Sequence, residues 1–121
     1  MILCIVCVGH AWAQSEGMLK QYLYPDGQVS SEGYLVDGKP EGRLHFELTG
    51  TWSFYDPAGA LTNTIAYAMG KKNGPSRKFG ADGALVGEEQ YENDMRDGLS
   101  RTFHANGKVE SQVSFKEGRE E

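Results

Sequence analysis

The chain has 121 residues, a length that fits one domain. It has 12 Lys and Arg residues against 17 Asp and Glu residues, a formal net charge of −5. This balance disfavours nucleic-acid binding and adhesion to an anionic membrane, because both need clustered cations. The 16 glycines are about twice the usual share of roughly 7 % and predict frequent turns between short elements.

Residues 1–13 differ from the rest of the chain. They contain an uncharged apolar run, MILCIVCVG, followed by a small-x-small pattern at Ala11-Trp12-Ala13. This pattern is typical of a secretory signal peptide, and the run is shorter than the about 20 residues that span a membrane. No Lys or Arg precedes the apolar run, which departs from the signal pattern, and the alternative is a buried N-terminal strand. We expect residues 1–13 to be a removed signal peptide and residues 14–121 to be the exported protein.

Both cysteines of the chain lie inside this segment, at Cys4 and Cys7. Their C-x-x-C spacing occurs in redox and metal sites. Only His10 stands nearby, and one histidine does not complete a zinc site. We interpret the two cysteines as small apolar residues of the signal core, so the mature chain is expected to have no cysteine.

Four turn glycines then mark an internal repeat. They are spaced by 32, 24 and 24 residues, and each lies in a cluster with Asp or Asn that favours a tight hairpin turn. The turn glycines are Gly27, Gly59, Gly83 and Gly107. An aliphatic residue follows each glycine at the second position: Val29, Leu61, Leu85 and Val109. A large apolar residue follows at the eighth position: Leu35, Tyr67, Tyr91 and Phe115.

Each repeat is predicted to be a strand, a tight turn, a longer strand and a glycine-rich connection. In the second repeat Leu61, Ile65 and Tyr67 share parity, which indicates one buried face of a strand. The last repeat has the same pattern at Val109, Val113 and Phe115. One hairpin of this size cannot bury its apolar face alone, so the repeats are expected to stack side by side. The eight additional residues of the first gap are placed within residues 43–50.

The segment Trp52-Ser53-Phe54-Tyr55-Asp56-Pro57-Ala58-Gly59, with Leu61, Tyr67, Gly70 and Gly74 after it, resembles the bacterial MORN-repeat variant. This form has a turn Asn/Asp-Gly, then an aliphatic residue, an aromatic residue and a Gly-x-x-x-Gly ending. The resemblance extends over about residues 20–121. It departs from the pattern where Lys20, Ser76 and Ser100 stand at the position of Trp52.

The resemblance implies an all-β fold, an elongated single-layer antiparallel sheet of about four repeated β-hairpins. It also implies an interaction role, so we expect a non-catalytic, periplasmic or extracellular bacterial scaffold that binds another protein. Many bacterial members are described as antitoxin-like, which leaves a cytosolic inhibitor of a toxin as an alternative. A third possibility is an envelope enzyme or carbohydrate-binding module, which requires a concave polar pocket.

Motifs for catalysis are not found in the sequence. His45 and His104 fall in different repeats, and no Gly-x-Ser-x-Gly or Gly-x-x-x-x-Gly-Lys-Ser/Thr motif occurs. We therefore expect no catalytic residue, no cofactor and no metal. Four cations surround the predicted connection Asn73-Gly74-Pro75 and are interpreted as solubilising, with binding of an acidic partner or a lipid headgroup as the alternative. They are Lys71, Lys72, Arg77 and Lys78.

Aromatic residues supply the candidate partner-binding surface. Those at the aligned repeat positions are assigned to the shared core. Tyr24, Tyr34 and Phe54 have the opposite parity, and a single-layer sheet has a second face on which they can be exposed. Exposed aromatic residues on a rigid sheet are good anchors for a protein partner. We predict Tyr34, Trp52 and Phe54 as the partner-binding residues, with packing under the inserted segment as the alternative.

Overall fold

The computed structural model describes residues 17–37 and 46–121. The predicted signal peptide, Cys4, Cys7 and residues 38–45 of the first gap lie outside the described residues. The described part consists of β-strands, turns and bends and contains no helix. The strands are β1 (Met18–Leu23), β2 (Val29–Asp37), β3 (Phe46–Tyr55), β4 (Leu61–Ala68), β5 (Lys71–Phe79), β6 (Leu85–Glu92), β7 (Met95–Arg96), β8 (Gly98–Phe103), β9 (Val109–Lys116) and β10 (Arg119–Glu120).

All ten strands form one antiparallel sheet in which chain order equals spatial order. The order is β1-β2-β3-β4-β5-β6-β8-β9-β10, and the short β7 pairs with β6 beside β8. Four hairpin repeats follow from this order: β1–β2, β3–β4, β5–β6 and β8–β9. The predicted all-β, single-layer sheet of repeated hairpins is confirmed.

The four turn glycines lie where the sequence placed them, between the two strands of each repeat. Their φ angles are +94°, +95°, +88° and +89°, a region that glycine adopts without steric cost. The preceding Asp or Asn holds the turn, because its side-chain oxygen accepts the backbone N–H two residues later. Asp26 accepts from Gln28 at 3.0 Å, and Asn106 accepts from Lys108 at 2.9 Å.

Every hairpin has the same register and the same β-bulge. The last residue of the first strand pairs with the first residue of the second strand, and one additional residue then shifts the pairing. These pairs are Leu23 with Val29, Tyr55 with Leu61, Phe79 with Leu85 and Phe103 with Val109. The internal repeat is therefore a structural repeat.

The bulge corrects one sequence prediction. It breaks the alternation of side chains, so Leu61 does not share a face with Ile65 and Tyr67. Tyr55, the partner of Leu61, donates its hydroxyl to Glu32 on the opposite face of the sheet. The same shift separates Val109 from the other apolar residues of β9. Assigning faces by the alternation of residues in the sequence fails here, because the second strand contains one residue more than the strand with which it pairs.

The predicted glycine-rich connection is also corrected. Met69 and Gly70 form a two-residue hairpin tip, and Gly74 lies inside β5 with φ of +116°. The pairing between β4 and β5 shifts near this glycine, as it does at a β-bulge. Gly98 at the start of β8 has the same conformation, with φ of +114°. Consecutive repeats are thus joined by tight hairpins.

The eight additional residues of the first repeat lie in the chain between the paired strands β2 and β3. Leu35 pairs with Leu48 across twelve residues, whereas Tyr67 pairs with Lys72 across four. The insertion therefore falls within residues 36–47, and the predicted position within residues 43–50 is wrong. Residues 46–50 belong to β3 and keep the register of the other repeats.

Trp52 is the centre of the packing. It is 2 % exposed and is the only large apolar residue that is buried in the described ranges. Its indole lies on Gly33 of β2, where a Cβ atom would overlap the ring. The indole Nε1 donates to the backbone oxygen of Tyr34 at 3.0 Å. The Tyr22 ring covers it from β1, with ring centroids 6.1 Å apart. Trp52 therefore links the first two repeats.

We expect Gly33→Ala to destabilise the protein by about 1–3 kcal/mol, the usual range for overpacking a filled site. The added methyl group would push the indole away from β2 and break its hydrogen bond to Tyr34. The free energy of unfolding, measured by urea denaturation, checks this prediction. Gly87→Ala is the matched control, because its Cβ would meet no atom closer than 3.6 Å. Equal losses in both variants would contradict the packing described for Trp52.

Candidate partner-binding faces

The two faces of the sheet differ in their central rows, although both carry rings: Tyr55 and Phe103 lie on the face called polar below, where the Arg101 guanidinium is 5.8 Å from the Phe103 ring centroid. The aromatic face has Trp52, Ile65 and Tyr67 in the second repeat, and Tyr91 and Phe115 in the later repeats. The polar face has one row of paired residues that crosses all four hairpins. The row runs Gln21, Glu32, Ser53, Thr64, Arg77, Glu88, Arg101 and Gln112.

Two arginines enclose one carboxylate on the polar face. Arg77 Nε donates to Glu88 Oε2 at 2.8 Å, and Arg101 contacts Glu88 Oε1 at 3.0 Å. Burial alone would raise the pKa of Glu88, but the hydrogen bonds and charges of Arg77 and Arg101 hold that pKa below its usual value. This ion network joins three neighbouring strands.

A second carboxylate at the N-terminal end of the row is also satisfied within the chain. Glu32 accepts hydrogen bonds from Gln21 and from the Tyr55 hydroxyl, each at 2.8 Å. These bonds lower the pKa of Glu32, and the bond to Glu32 raises the pKa of Tyr55. Both carboxylates of the row, Glu32 and Glu88, therefore have partners within the chain.

The aromatic face carries rings at the same position of successive repeats. The Lys72 ammonium lies 4.9 Å from the Tyr91 ring centroid, and the Arg96 guanidinium lies 4.9 Å from that of Phe115. Gly74 pairs with Tyr91, and a Cβ atom on Gly74 would lie 3.0 Å from the Ala66 Cβ atom. Each ring is therefore half-buried and has a cation against it, an attractive contact.

Glu89 organises a polar cluster beside these rings. It accepts from the Tyr91 hydroxyl at 2.9 Å and from Ser100 at 3.5 Å, and its ion pair with Arg96 is 3.2 Å long. Burial raises the pKa of Tyr91, and the hydrogen bond to Glu89 raises it further. An open depression of about 310 Å³ lies over this part of the sheet, with Ser76, Glu89 and Ser100 in its lining.

The three predicted partner-binding residues lie near one another, but on two faces of the sheet. Trp52 is buried, so the prediction that it is an exposed anchor is wrong. Phe54 is half-buried on the same face as Trp52. Tyr34 is 43 % exposed, but it pairs with Thr49 and lies on the polar face. Partner binding by Tyr34 and Phe54 stays a prediction.

Sequence reasoning missed the two ring–cation pairs. The sequence places Lys72 with Lys71, Arg77 and Lys78 around a predicted connection. In the folded chain Lys72 contacts Tyr91 on one face, and Arg77 contacts Glu88 on the other. The signal was nevertheless present, because Arg96 stands 24 residues after Lys72, one repeat length later.

Two further properties concern only the part of the chain that the structure describes. In residues 17–37 and 46–121, no three His, Cys, Asp or Glu side chains are grouped so as to hold a metal ion. Within the same ranges, no helix has the length and apolar character needed to cross a membrane.

Comparison with known families identifies the last repeat. Residues 96–117 match the family model described as MORN repeat variant, and this span covers β8, β9 and the turn at Gly107. The three other hairpins have the register of the matched hairpin. No curated protein is significantly similar to the chain.

We expect Glu88→Gln to lower stability at neutral pH by up to about 1 kcal/mol, since both arginines are partly exposed and water screens the network. The folded pKa of Glu88 is depressed, so its contribution is present above the unfolded pKa and is lost as the pH falls through the folded value. Urea unfolding at neutral and acidic pH measures the effect.

The control for this charge change is Glu110→Gln, a substitution at an exposed position of β9. It should leave the stability at neutral pH nearly unchanged. The difference between Glu88→Gln and the unmodified chain should shrink as the pH falls. A difference that persisted unchanged in acid would show that the ion network does not cause it.

Proposed function

Because its last repeat is a MORN repeat variant, we propose that the chain is a non-catalytic scaffold that binds another protein through its aromatic face. The observation that supports this proposal is the shared register of the hairpins. It places Tyr67, Tyr91 and Phe115 at one position of successive repeats. Rings two strands apart are separated by about 10 Å, which gives a partner regularly spaced contacts on a rigid surface.

The two faces differ in what they offer a partner. On the polar face, Glu88 and Glu32 already have partners within the chain, and displacing them has an electrostatic cost. On the aromatic face, Lys72 and Arg96 lie against rings, and Arg96 also has an ion pair with Glu89 and a hydrogen bond with the Tyr91 side chain. A partner carboxylate can bind these cations while its apolar side chains contact the rings. We therefore propose a partner surface that is both acidic and apolar.

Affinity capture with face-specific variants tests this function. The unmodified chain, Lys72→Glu/Arg96→Glu and Tyr34→Ser are used as baits under identical conditions, and circular dichroism verifies their folding. We expect a protein bound by the unmodified chain to lose at least about tenfold in affinity for the charge-reversed bait, since two charge contacts become repulsive. Tyr34→Ser on the polar face should retain it. Loss with Tyr34→Ser alone would instead place the binding surface on the polar face.

We further propose that the chain acts outside the cytoplasm. The support is the apolar segment at residues 1–13 with its small-x-small ending. Sequencing the N-terminus of protein purified from its native host checks this proposal, and Gln14 is the expected first residue. Retention of residues 1–13 would contradict export and would favour the cytosolic inhibitor considered above.

A further inference from the structure

Two outer edges of the array lack a partner strand among the described residues. β1 pairs with β2 on one side, and within residues 17–37 and 46–121 no strand pairs with its other side. β9 pairs with β8, and β10 pairs with its outer edge at Phe115 and Lys116, where the Glu121 backbone N–H also donates to the Ser114 backbone oxygen. Within the described residues, no strand pairs with the outer edge of residues 109–113, and such an edge is a template for another strand.

These two edges are the complementary halves of a contact that the chain already makes internally. The second strand of one repeat pairs with the first strand of the next repeat. Between β4 and β5 the central pair is Thr64 with Arg77, and between β6 and β8 it is Glu88 with Arg101. The equivalent residue of β9 is Gln112, and the equivalent residue of β1 is Gln21. In the described part of the chain, no first strand of a following repeat therefore pairs with β9, and no second strand of a preceding repeat pairs with β1.

Exposure supports the same conclusion. Leu23 at the end of β1 is 57 % exposed, whereas its equivalents Tyr55, Phe79 and Phe103 are half-buried. At the start of β9, Val109 is 46 % exposed, whereas Leu61 and Leu85 at the equivalent positions are half-buried. Apolar residues that are covered inside the array are uncovered at its two edges.

We propose that a second copy of this chain docks head to tail, with its β1 on the outer edge of β9 in the register that joins the repeats. Tyr22, Gln21 and Lys20 of one copy then face Ser111, Gln112 and Val113 of the other. Gln21 and Gln112 each have an amide donor and an amide acceptor, so they hydrogen-bond side by side. The polar row of one copy continues in the next, and both exposed apolar residues gain cover.

The contact joins two different edges, so it is heterologous, and a docked pair still offers one free β1 and one free β9. Short paired strands bury less area than the about 1,600 Å² of a standard stable interface. The association is therefore weak and depends on protein concentration. Residues 1–16, which lie outside the described residues, are the competing occupant of the β1 edge, and they would cover it within one chain.

Disulfide trapping tests the docking and its register. Cys4 and Cys7 are replaced by serine, and Gln21→Cys and Gln112→Cys are introduced into separate copies of the full chain. Directly opposite residues have Cα atoms about 4.5–5.5 Å apart, which lies within the Cα–Cα range of a disulfide. Mixing the two variants under mild oxidation should give a covalent heterodimer on a non-reducing gel, with a yield that rises with concentration.

The matched control replaces Gln21→Cys by Leu19→Cys, an exposed residue two positions earlier on the same face. Diagonal neighbours are about 7–8 Å apart, so this mixture should cross-link at least about tenfold more slowly. Rapid dimerisation of Gln21→Cys by itself would indicate a symmetric β1–β1 contact and overturn the proposal. Equal rates for Leu19→Cys and Gln21→Cys would overturn the register. No cross-link at any concentration would also overturn the proposal and would favour cover by residues 1–16.

Discussion

The structure depends on one hairpin register that is used four times. The turn glycine fixes where the chain reverses, and the bulge next to it fixes which residues oppose each other. A shift by one residue would move each side chain to the other face of the sheet. The row from Gln21 to Gln112 exists only because this register is the same in every repeat, as is the alignment of the rings on the other face.

A single-layer sheet with one fully buried apolar side chain in its described part has little core. Its stability must come from backbone pairing, from half-buried rings and from contacts between neighbouring repeats, as in other repeat proteins. The Trp52 indole and the Glu88 carboxylate make two of these contacts, and each joins elements of two repeats. The two contacts lie at different junctions between repeats, so the loss of one contact weakens the junction to which that contact belongs.

The sequence was sufficient to predict the hairpin array, because turn glycines and apolar residues recur at a 24-residue spacing. The sequence did not predict on which face of the sheet each side chain lies. The bulge places two residues of β4 opposite one residue of β3, and this moves Leu61 to the other face. The burial of Trp52 could not be predicted either, since it needs Gly33 on another repeat. The ring contact of Lys72 joins residues 19 positions apart and follows only from the register.

The longer connection between β2 and β3 shows how the sheet accommodates additional residues. Twelve residues separate Leu35 from Leu48, yet the pairing on both sides of that gap matches the shorter hairpins. Loop closure becomes only slowly less favourable with length, so such a segment disturbs the strands little. The tip between β2 and β3 is therefore the natural place to graft an epitope, a fluorophore or a foreign peptide while keeping both faces of the sheet intact.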